Sequence, residues 1–315
     1  MSSTVGLLRG AYHFTTDRTP GGLPSVQPKS RHANLWQQNS LPLVTRVKAD
    51  PAKLEASIFK SLQLLGGLGK LAARGDTIMV KPNFNSPDPY PGSTDLGFLR
   101  VVLQLLLQTG AEVIVGESSG GIWRPTRNVL AKLGVPELLA SMGVELVVFE
   151  DRPKDWLRVE IGGDYLKRAV VPRSAYEATR LVYLPCMKTH NLARFSLSLK
   201  LGVGLLHPGE RRSLHFRNLE QKVAEINLVR QPDLIIMDGR KAFVTGGPDK
   251  GQVEEPGIIM ASGDMVAIDI EALKILLSYE ARNRLMPNPW DSPQIIAALR
   301  HQLGAGEGRY LVLDG

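Results

Sequence analysis

TIMVKPNFNSPDPYPGSTDLGFLRVVLQLLLQTGAEVIVGESSGG, residues 77–121, reads in order as strand, loop, helix, strand and loop. Thr77–Lys81 is a short apolar strand. The proline-rich loop behind it runs to Gly92, because proline lacks the backbone donor that helices and central strands need. Asp95–Gln108 is apolar and helical, and Gly110 ends it. Glu112–Gly116 is the next strand. Two short apolar strands joined through a helix are the repeating unit of an α/β protein with a parallel sheet.

Outward from this stretch the alternation continues. Upstream, Leu43–Lys48 reads as a strand and Pro51–Leu65 as a helix with proline near its start. Residues 1–42, rich in Pro, Gly, Ser, Thr and Gln, read as an irregular arm. Downstream, Val144–Phe149 is a strand after a helical pair, and residues 151–172 suggest a hairpin or excursion around Gly162-Gly163. Leu181–Pro185 and Leu234–Asp238 are strands with a helix, His215–Arg230, between them. Ile258–Ser262 leads into the helix Met265–Tyr279, N-capped by Asp264, and Asp291–Gln302 is the last helix. The expectation is one α/β domain over residues 43–315, a largely parallel sheet flanked by helices, with a division into two lobes near 150–180 left open.

Residues 196–206 resist a single assignment. Ser196, Ser198, Lys200, Gly202 and Gly204 alternate with apolar neighbours at the period of a strand, while Leu192, Phe195, Leu199 and Leu206 share one helical stripe. On a strand, Lys200 would project from a face of serines and glycines with room beside its amine. The plainer alternative is a core lysine that snorkels to solvent.

Composition narrows the class. The 315 residues, 43% hydrophobic and 22% charged, are those of a soluble globular protein with a sizeable core. No run of about 18 apolar residues suits a membrane span. The N-terminus lacks the order of a secretory signal, so cytoplasm is the expected location. Cys186 is the only cysteine, which rules out internal disulfides and a cysteine-ligated iron–sulfur cluster. A net charge of +7 raises nucleic acid, but 6% aromatics and no zinc-finger or RNA-recognition spacing argue against it. A small anionic ligand accounts better for where the charge sits.

That charge concentrates in residues 188–217, KTHNLARFSLSLKLGVGLLHPGERRSLHFR. Here lie His190, His207 and His215, with Lys188, Arg194, Lys200, Arg211, Arg212 and Arg217 against the single acid Glu210. Open α/β sheets bind ligands at the carboxyl ends of their strands, and four polar motifs fall at such ends. They are Lys81-Pro82-Asn83; Glu117-Ser118-Ser119-Gly120-Gly121, with the composition to wrap an anion in backbone N–H groups; Lys188-Thr189-His190; and Asp238-Gly239-Arg240 with Gly246-Gly247-Pro248 beyond. There is no Walker A or GxGxxG sequence to imply a nucleotide. Asp264 and Asp95 are each placed to cap the helix that follows, and His207, before Pro-Gly, reads as a turn residue.

The runs MVKPNFNSP, STDLGFLRVVLQLLLQTGAEVIVGESSGG, LVYLPCMKTHNLARFSLSLKLGVG, LIIMDGRKAFVTGGPDKG and IIMASGDMVAIDIEALK together resemble the family named domain of unknown function 362, over about residues 43–280. Some members are linked to iron–sulfur modules, an association that does not transfer to a chain without the cysteines. The spacing of His190, Lys200 and His215 is also similar to that of nickel-dependent lactate racemases. That resemblance implies Lys200 as the anchor of a pyridinium-type pincer cofactor, His215 as a nickel ligand and His190 as the acid/base. The chain departs from the racemases at Glu117-Ser118-Ser119, where they carry another proton-moving histidine, and in having Gly202 and Gly204 after the lysine rather than a glycine doublet before it.

The residues themselves suggest an enzyme that moves a proton or hydride on a small carboxylate or phosphate. Imidazoles and amines beside cations have depressed pKa values suited to proton transfer near neutral pH. His190, Lys200, His215 and Lys188 are the expected catalytic groups. Lys81, Asn83, Asp95, Glu117, Ser118, Ser119, Gly120, Arg194, Gly246 and Gly247 are the expected ligand contacts. A divalent ion, nickel, zinc or iron, would take His190, His215, His207 and Asp238. The rival class is a non-catalytic anion-binding protein, or a redox accessory serving an iron–sulfur partner through the N-terminal arm; a homo-oligomer fits either.

Overall fold

The computed structural model describes residues 17–315 and Tyr12. Along the chain its strands are β1 (Ser25–Val26), β2 (Gln37–Gln38), β3 (Leu41–Lys48), β4 (Thr77–Lys81), β5 (Glu112–Glu117), β6 (Glu145–Val148), β7 (Trp156–Val159) and β8 (Ala169–Pro172). They continue with β9 (Arg180–Tyr183), β10 (Cys186–His190), β11 (Arg194–Ser196), β12 (Leu234–Phe243), β13 (Val253–Glu254), β14 (Ile258–Ser262) and β15 (Leu311–Asp314). The main sheet has 12 strands in the order β15-β3-β14-β12-β9-β4-β5-β6, with β10, β11, β13 and β2 attached beside that path. Along the path only β14 runs against the rest, because it pairs antiparallel with both β12 and β3. The α/β class and the largely parallel sheet expected from residues 77–121 are therefore present.

Both faces of the sheet are covered, as parallel strands require. Ile78 and Val80 of β4 enter one apolar cluster and Met79 the other; in β12, Leu234 and Ile236 divide from Ile235 and Met237 in the same way. The Leu54–Leu65 and Leu96–Leu107 helices pack on one face and the Met265–Leu277 helix on the other. Asp95 caps the second of these at the N–H of Phe98 (2.8 Å), and Asp264 caps the third at the N–H of Ala267 (2.9 Å). Among the described residues no helix is long and apolar enough to cross a membrane.

The strand order places the site. The chain runs β4, β5, β6 outward, then returns to β9 on the other side of β4. Connections leave β4 and β9 in opposite directions, which opens a crevice at their carboxyl ends.

Several boundaries differ from those the sequence suggests. The first helix starts at Leu54, because Asp50 accepts the N–H groups of Ala52 and Lys53 and holds Pro51 in a turn. His215–Arg230 is not one helix: Pro208–Leu214 ends at His215, Arg217 and Asn218 take positive φ (39° and 55°), and a second helix runs Leu219–Glu225. In 196–206 the strand ends at Ser196, and Ser198–Leu201 is a helical turn continued by a 3-10 turn over Gly202–Leu205. Asp269 decides this by accepting the N–H groups of Ser198 (2.8 Å) and Leu199 (3.0 Å), so Lys200 rides on a helix rather than a strand. β15 carries no clear sequence signal, and β12 continues five residues past Asp238.

Of the expected N-terminal arm, residues 1–11 and 13–16 lie outside the described residues. The rest contributes β1 to a 3-stranded sheet with β7 and β8, the excursion foreseen at 151–172, and buries Trp36, whose Nε1 donates to Asp233 O (3.0 Å).

Candidate active site

A cavity of about 610 Å³ opens at the crevice, lined from the ends of β4, β5 and β10, the Ser198–Leu205 turns, the Pro208–Leu214 helix and the Gly247–Asp249 loop. Lys81, Asn83, Glu117, Ser118, Gly120, His190, Lys200, His215 and Gly247 all line it, so three of the four polar strand ends converge. Of the fourth motif only Gly247-Pro248 reach the cavity, and Asp238-Gly239-Arg240 do not. The lining also carries Arg124, Arg211 and Arg212, with Asp17 and Asp249 as further carboxylates. Cations therefore outnumber acids around it.

The two cavity histidines hold opposite hydrogen-bonding states. His190 Nδ1 faces the backbone N–H groups of Leu192 and Ala193, both at 3.1 Å. Two donors there require an unprotonated Nδ1, so the neutral ring carries its proton on Nε2. Burial, with Lys200 and Lys188 nearby, drives its pKa far down and keeps it neutral. His215 Nδ1 lies 2.8 Å from the carbonyl of Arg211, which can only accept. There Nδ1 holds the proton, and Nε2 is left with a lone pair. Its pKa is also lowered, chiefly by burial. His190 is buried in the wall, and His215 sits exposed at the mouth. The cavity thus meets a ligand with one N–H donor and one imidazole base.

The lysines differ just as sharply. Lys81 Nζ donates to Glu117 Oε1 (2.5 Å) and Pro82 O (2.7 Å). The Glu117 carboxylate also accepts from the N–H groups of Phe84 (2.9 Å) and Ser118 (2.8 Å), so this buried pair locks the β4 and β5 loops together. Gly204 permits it: a Cβ there would stand 2.6 Å from Lys81 Cε. Lys188 Nζ is taken by the carbonyl of Gly92 (2.6 Å). Lys200, half-buried in the wall, has no hydrogen-bond or ion-pair partner among the described residues. Burial and the charges of Lys188 and Arg211 bring its amine down to about 8, against Asp249 pulling it up.

Arg211, which the sequence reading counted only as one cation among six, is a structural clamp. Its guanidinium donates to the carbonyls of Leu206, Ser118, Ser119 and Gly204 at 2.8–2.9 Å, joining the β5 loop to the 3-10 turn. Gly247 has φ of +70°, and a Cβ on it would run into the carbonyl of Thr189, so glycine is required where this loop crosses β10. Asp249, which sequence reasoning passed over, receives Trp123 Nε1 (3.3 Å) at the far wall. Its only signal was its place after Gly-Gly-Pro.

Other expected contacts are not brought in. Asp95 and Asp238 share Arg240 at 2.9 and 2.7 Å, and Tyr90 donates to Asp238 (2.9 Å), which fixes the proline-rich loop outside the cavity. Arg194 pairs with Glu220 (3.0 Å), Ser119 Oγ donates to Phe84 O (2.7 Å), and Gly246 lies behind Gly247. The 117–121 loop is not an anion cradle of backbone N–H groups. The N–H groups of Ser118, Ser119 and Gly120 are already taken by Glu117, Thr126 and Asn85.

His190, His215, His207 and Asp238 do not form a metal-donor set. His207 Nδ1 accepts the N–H of Gly209 (3.0 Å), and its ring stands edge-on to Trp156 at 4.5 Å, outside the cavity lining. His190 offers a proton rather than a lone pair, and Asp238 is held by Arg240. Among the described residues, Asp164, Glu225 and His301 do bring ligand atoms within 4.8 Å of one another, away from the cavity. There the Glu225 carboxylate already accepts the N–H groups of Asp164, Tyr165 and Leu166.

Comparison with known proteins gives three findings. The chain is 26% identical over 247 residues to the thylakoid-associated protein sll1697 of Synechocystis sp., covering 75% of this chain and 74% of that one. Among solved structures, the lactate racemase apoprotein from Thermoanaerobacterium thermosaccharolyticum is similar at 15% identity and a TM-score of 0.35 over 70% of this chain. The chain spans 55%, about half, of that protein's length. The model of the family described as Domain of unknown function (DUF362) matches residues 78–274, which takes in β4 to the Met265–Leu277 helix and every wall of the cavity except Asp17, and the chain belongs to that family.

Proposed function

We propose that this protein is an enzyme that binds a small organic acid in the cavity and moves a proton at the carbon beside its carboxyl or carbonyl group. The observation that carries this reading is the pairing of opposite tautomers, His190 with Nε2–H and His215 with a free Nε2, in one cation-rich cavity. His215 is the base. Its Nδ1–H bond to the Arg211 carbonyl orients the ring and stabilises the imidazolium that forms when Nε2 takes the proton. His190 is the donor: its Nε2–H meets the oxygen where negative charge gathers as the C–H bond breaks, and its depressed pKa keeps it a neutral donor rather than an acid titrated by solvent. The positive charge of Lys200 favours the carboxylate. Exposure of His215 at the mouth lets the captured proton exchange with water.

This chemistry uses only the chain's own groups. Of the four expected ligands, only His215 would offer a resident metal a lone pair in the cavity, since Asp238 is engaged by Arg240 and Tyr90 outside it, so no step is assigned to one.

The test is washout of deuterium, followed by NMR, from C2 of small 2-hydroxy acids and from C3, beside the carbonyl, of small 2-oxo acids. Washout that depends on His215 supports the reading. An anion-binding protein without turnover would bind members of the panel, seen as a thermal shift, and exchange none of them.

A further inference from the structure

We infer that Lys200 is a nucleophile that forms an imine with the carbonyl carbon of a small 2-oxo acid, so that the substrate class of this cavity is the 2-oxo acids. This rests on the proton-transfer reading above and says how the C–H bond becomes weak enough for an imidazole to break.

Three lysines stand at or beside the cavity, and two are committed: Lys81 to Glu117 and Pro82, Lys188 to Gly92. Lys200 has neither a carboxylate nor a carbonyl among the described residues. A lysine that served only as a fixed positive charge gains by keeping a counter-ion, whereas a nucleophile needs a free lone pair. Burial and two of the neighbouring charges act in the same direction, and outweigh Asp249, which opposes them. Lys188 and Arg211 disfavour the ammonium form, and an amine titrating at about 8 is neutral in roughly a tenth of molecules at pH 7.

The position is also rigid and open. Asp269 fixes the N-terminal end of the Ser198–Leu201 turn, and Asn227 Nδ2 holds the carbonyl of Leu199 (2.9 Å). Ser196 and Gly204, small residues, line the cavity with Lys200. A 2-oxo acid of three or four carbons is far smaller than the cavity of about 610 Å³.

The step balances without a further reactant. The Lys200 ammonium gives one proton to His215, and the free amine bonds to the carbonyl carbon while the carbonyl electron pair moves to oxygen. That oxygen takes one proton from the new C–N nitrogen and one back from His215, and departs as water. One C–N double bond replaces one C–O double bond, and the single positive charge stays on the iminium nitrogen. The iminium then draws electrons from the adjacent C–H bond, whose proton passes to His215 Nε2. His190 and Lys200 line the same cavity, so the Nε2–H is the donor available to the acid's carboxylate.

The experiment uses the full chain with pyruvate as probe and sodium borohydride as trap, followed by peptide mass mapping. The expected result is an adduct on the peptide that bears Lys200, heavier by the mass of pyruvate less one oxygen, and absent in Lys200→Arg. Mapping the unaltered protein needs no variant to fold. Absence of an adduct at Lys200, or adducts spread over surface lysines at equal levels in Lys200→Arg, overturns the imine. If deuterium washout persists while no adduct forms at Lys200, the imine falls and the proton-transfer reading stands. If neither occurs, both fall.

Discussion

His215 keeps its lone pair because the Arg211 carbonyl, one helical turn back, has nothing to donate; His190 keeps its Nε2 proton because two backbone N–H groups occupy the other nitrogen. These bonds assign the two roles, and they give the sharpest tests. His215→Asn removes the base, and deuterium washout is expected to fall by about 100-fold or more. Circular dichroism should stay native, because the side chain is exposed. A fall of less than a few-fold would remove His215 from the chemistry. Lys200 gives a pH signature. As pH rises through about 8 the ammonium becomes the amine, so the rate of borohydride-trapped adduct should climb and level off above that point. The groups facing it, Lys188 and Arg211 on one side of the balance and Asp249 on the other, set where the rise falls. A rate flat from pH 6 to 9 would mean that Lys200 is not the attacking group. None of this was legible from residue identities. His190, Lys200 and His215 stood out as types and spacings, yet a tautomer depends on which backbone group lies opposite a ring nitrogen.

Short elements carry these side chains, and they hold their shape through distant partners. The Ser198–Leu201 turn exists because Asp269, from the Met265–Leu277 helix, accepts its first two N–H groups. Burial raises the Asp269 carboxyl to about 7, and those two N–H groups oppose that rise. Asp269→Ala orphans both donors and should cost about 1–3 kcal/mol in urea unfolding. It should also weaken trapping at Lys200; unchanged stability would show that the turn stands without its cap. Gly204 is the second such point. In Gly204→Ala the methyl meets Lys81 Cε, so Lys81 must leave Glu117 or the 3-10 turn must shift, at about 1–3 kcal/mol. The helices capped by Asp95 and Asp264 were legible because the signal is local: a carboxylate one residue before an apolar run. The strand-like alternation of 196–206 misled for the opposite reason. Its period of two is real, but Asp269 lies seventy-odd residues away and overrides it. His215–Arg230 likewise lost its middle to left-handed backbone at Arg217 and Asn218, residues that do not announce such a turn.

Sheet order brings the separate pieces to one place. β4, β5 and β10 end on the same side, and the divergence of β4 and β9 opens the crevice into which their loops project. Because the lining cations exceed the acids, a bound 2-oxo acid should stabilise the protein in proportion to its occupancy. At a hundred times Kd the gain is about 2.7 kcal/mol, visible as a rise in Tm. Added salt should weaken that rise, since part of the attraction is screened. A Tm shift from neutral analogues as large as that from the acid would argue against an anion site. What the sequence determined was periodic and local: the α/β class, most strands and helices, and the placing of polar motifs at strand ends, because burial on both faces and helix caps are written in neighbouring residues. Chemical assignment came only with long-range packing. Asp95, Asp238, His207, Arg194 and Lys188 have the same chemistry as residues in the wall, yet folding gave them Arg240, Gly209, Glu220 and Gly92 as partners. It left Lys200 without one. A side chain's reactivity follows from the groups that surround it, and those come from parts of the chain that the local sequence does not record.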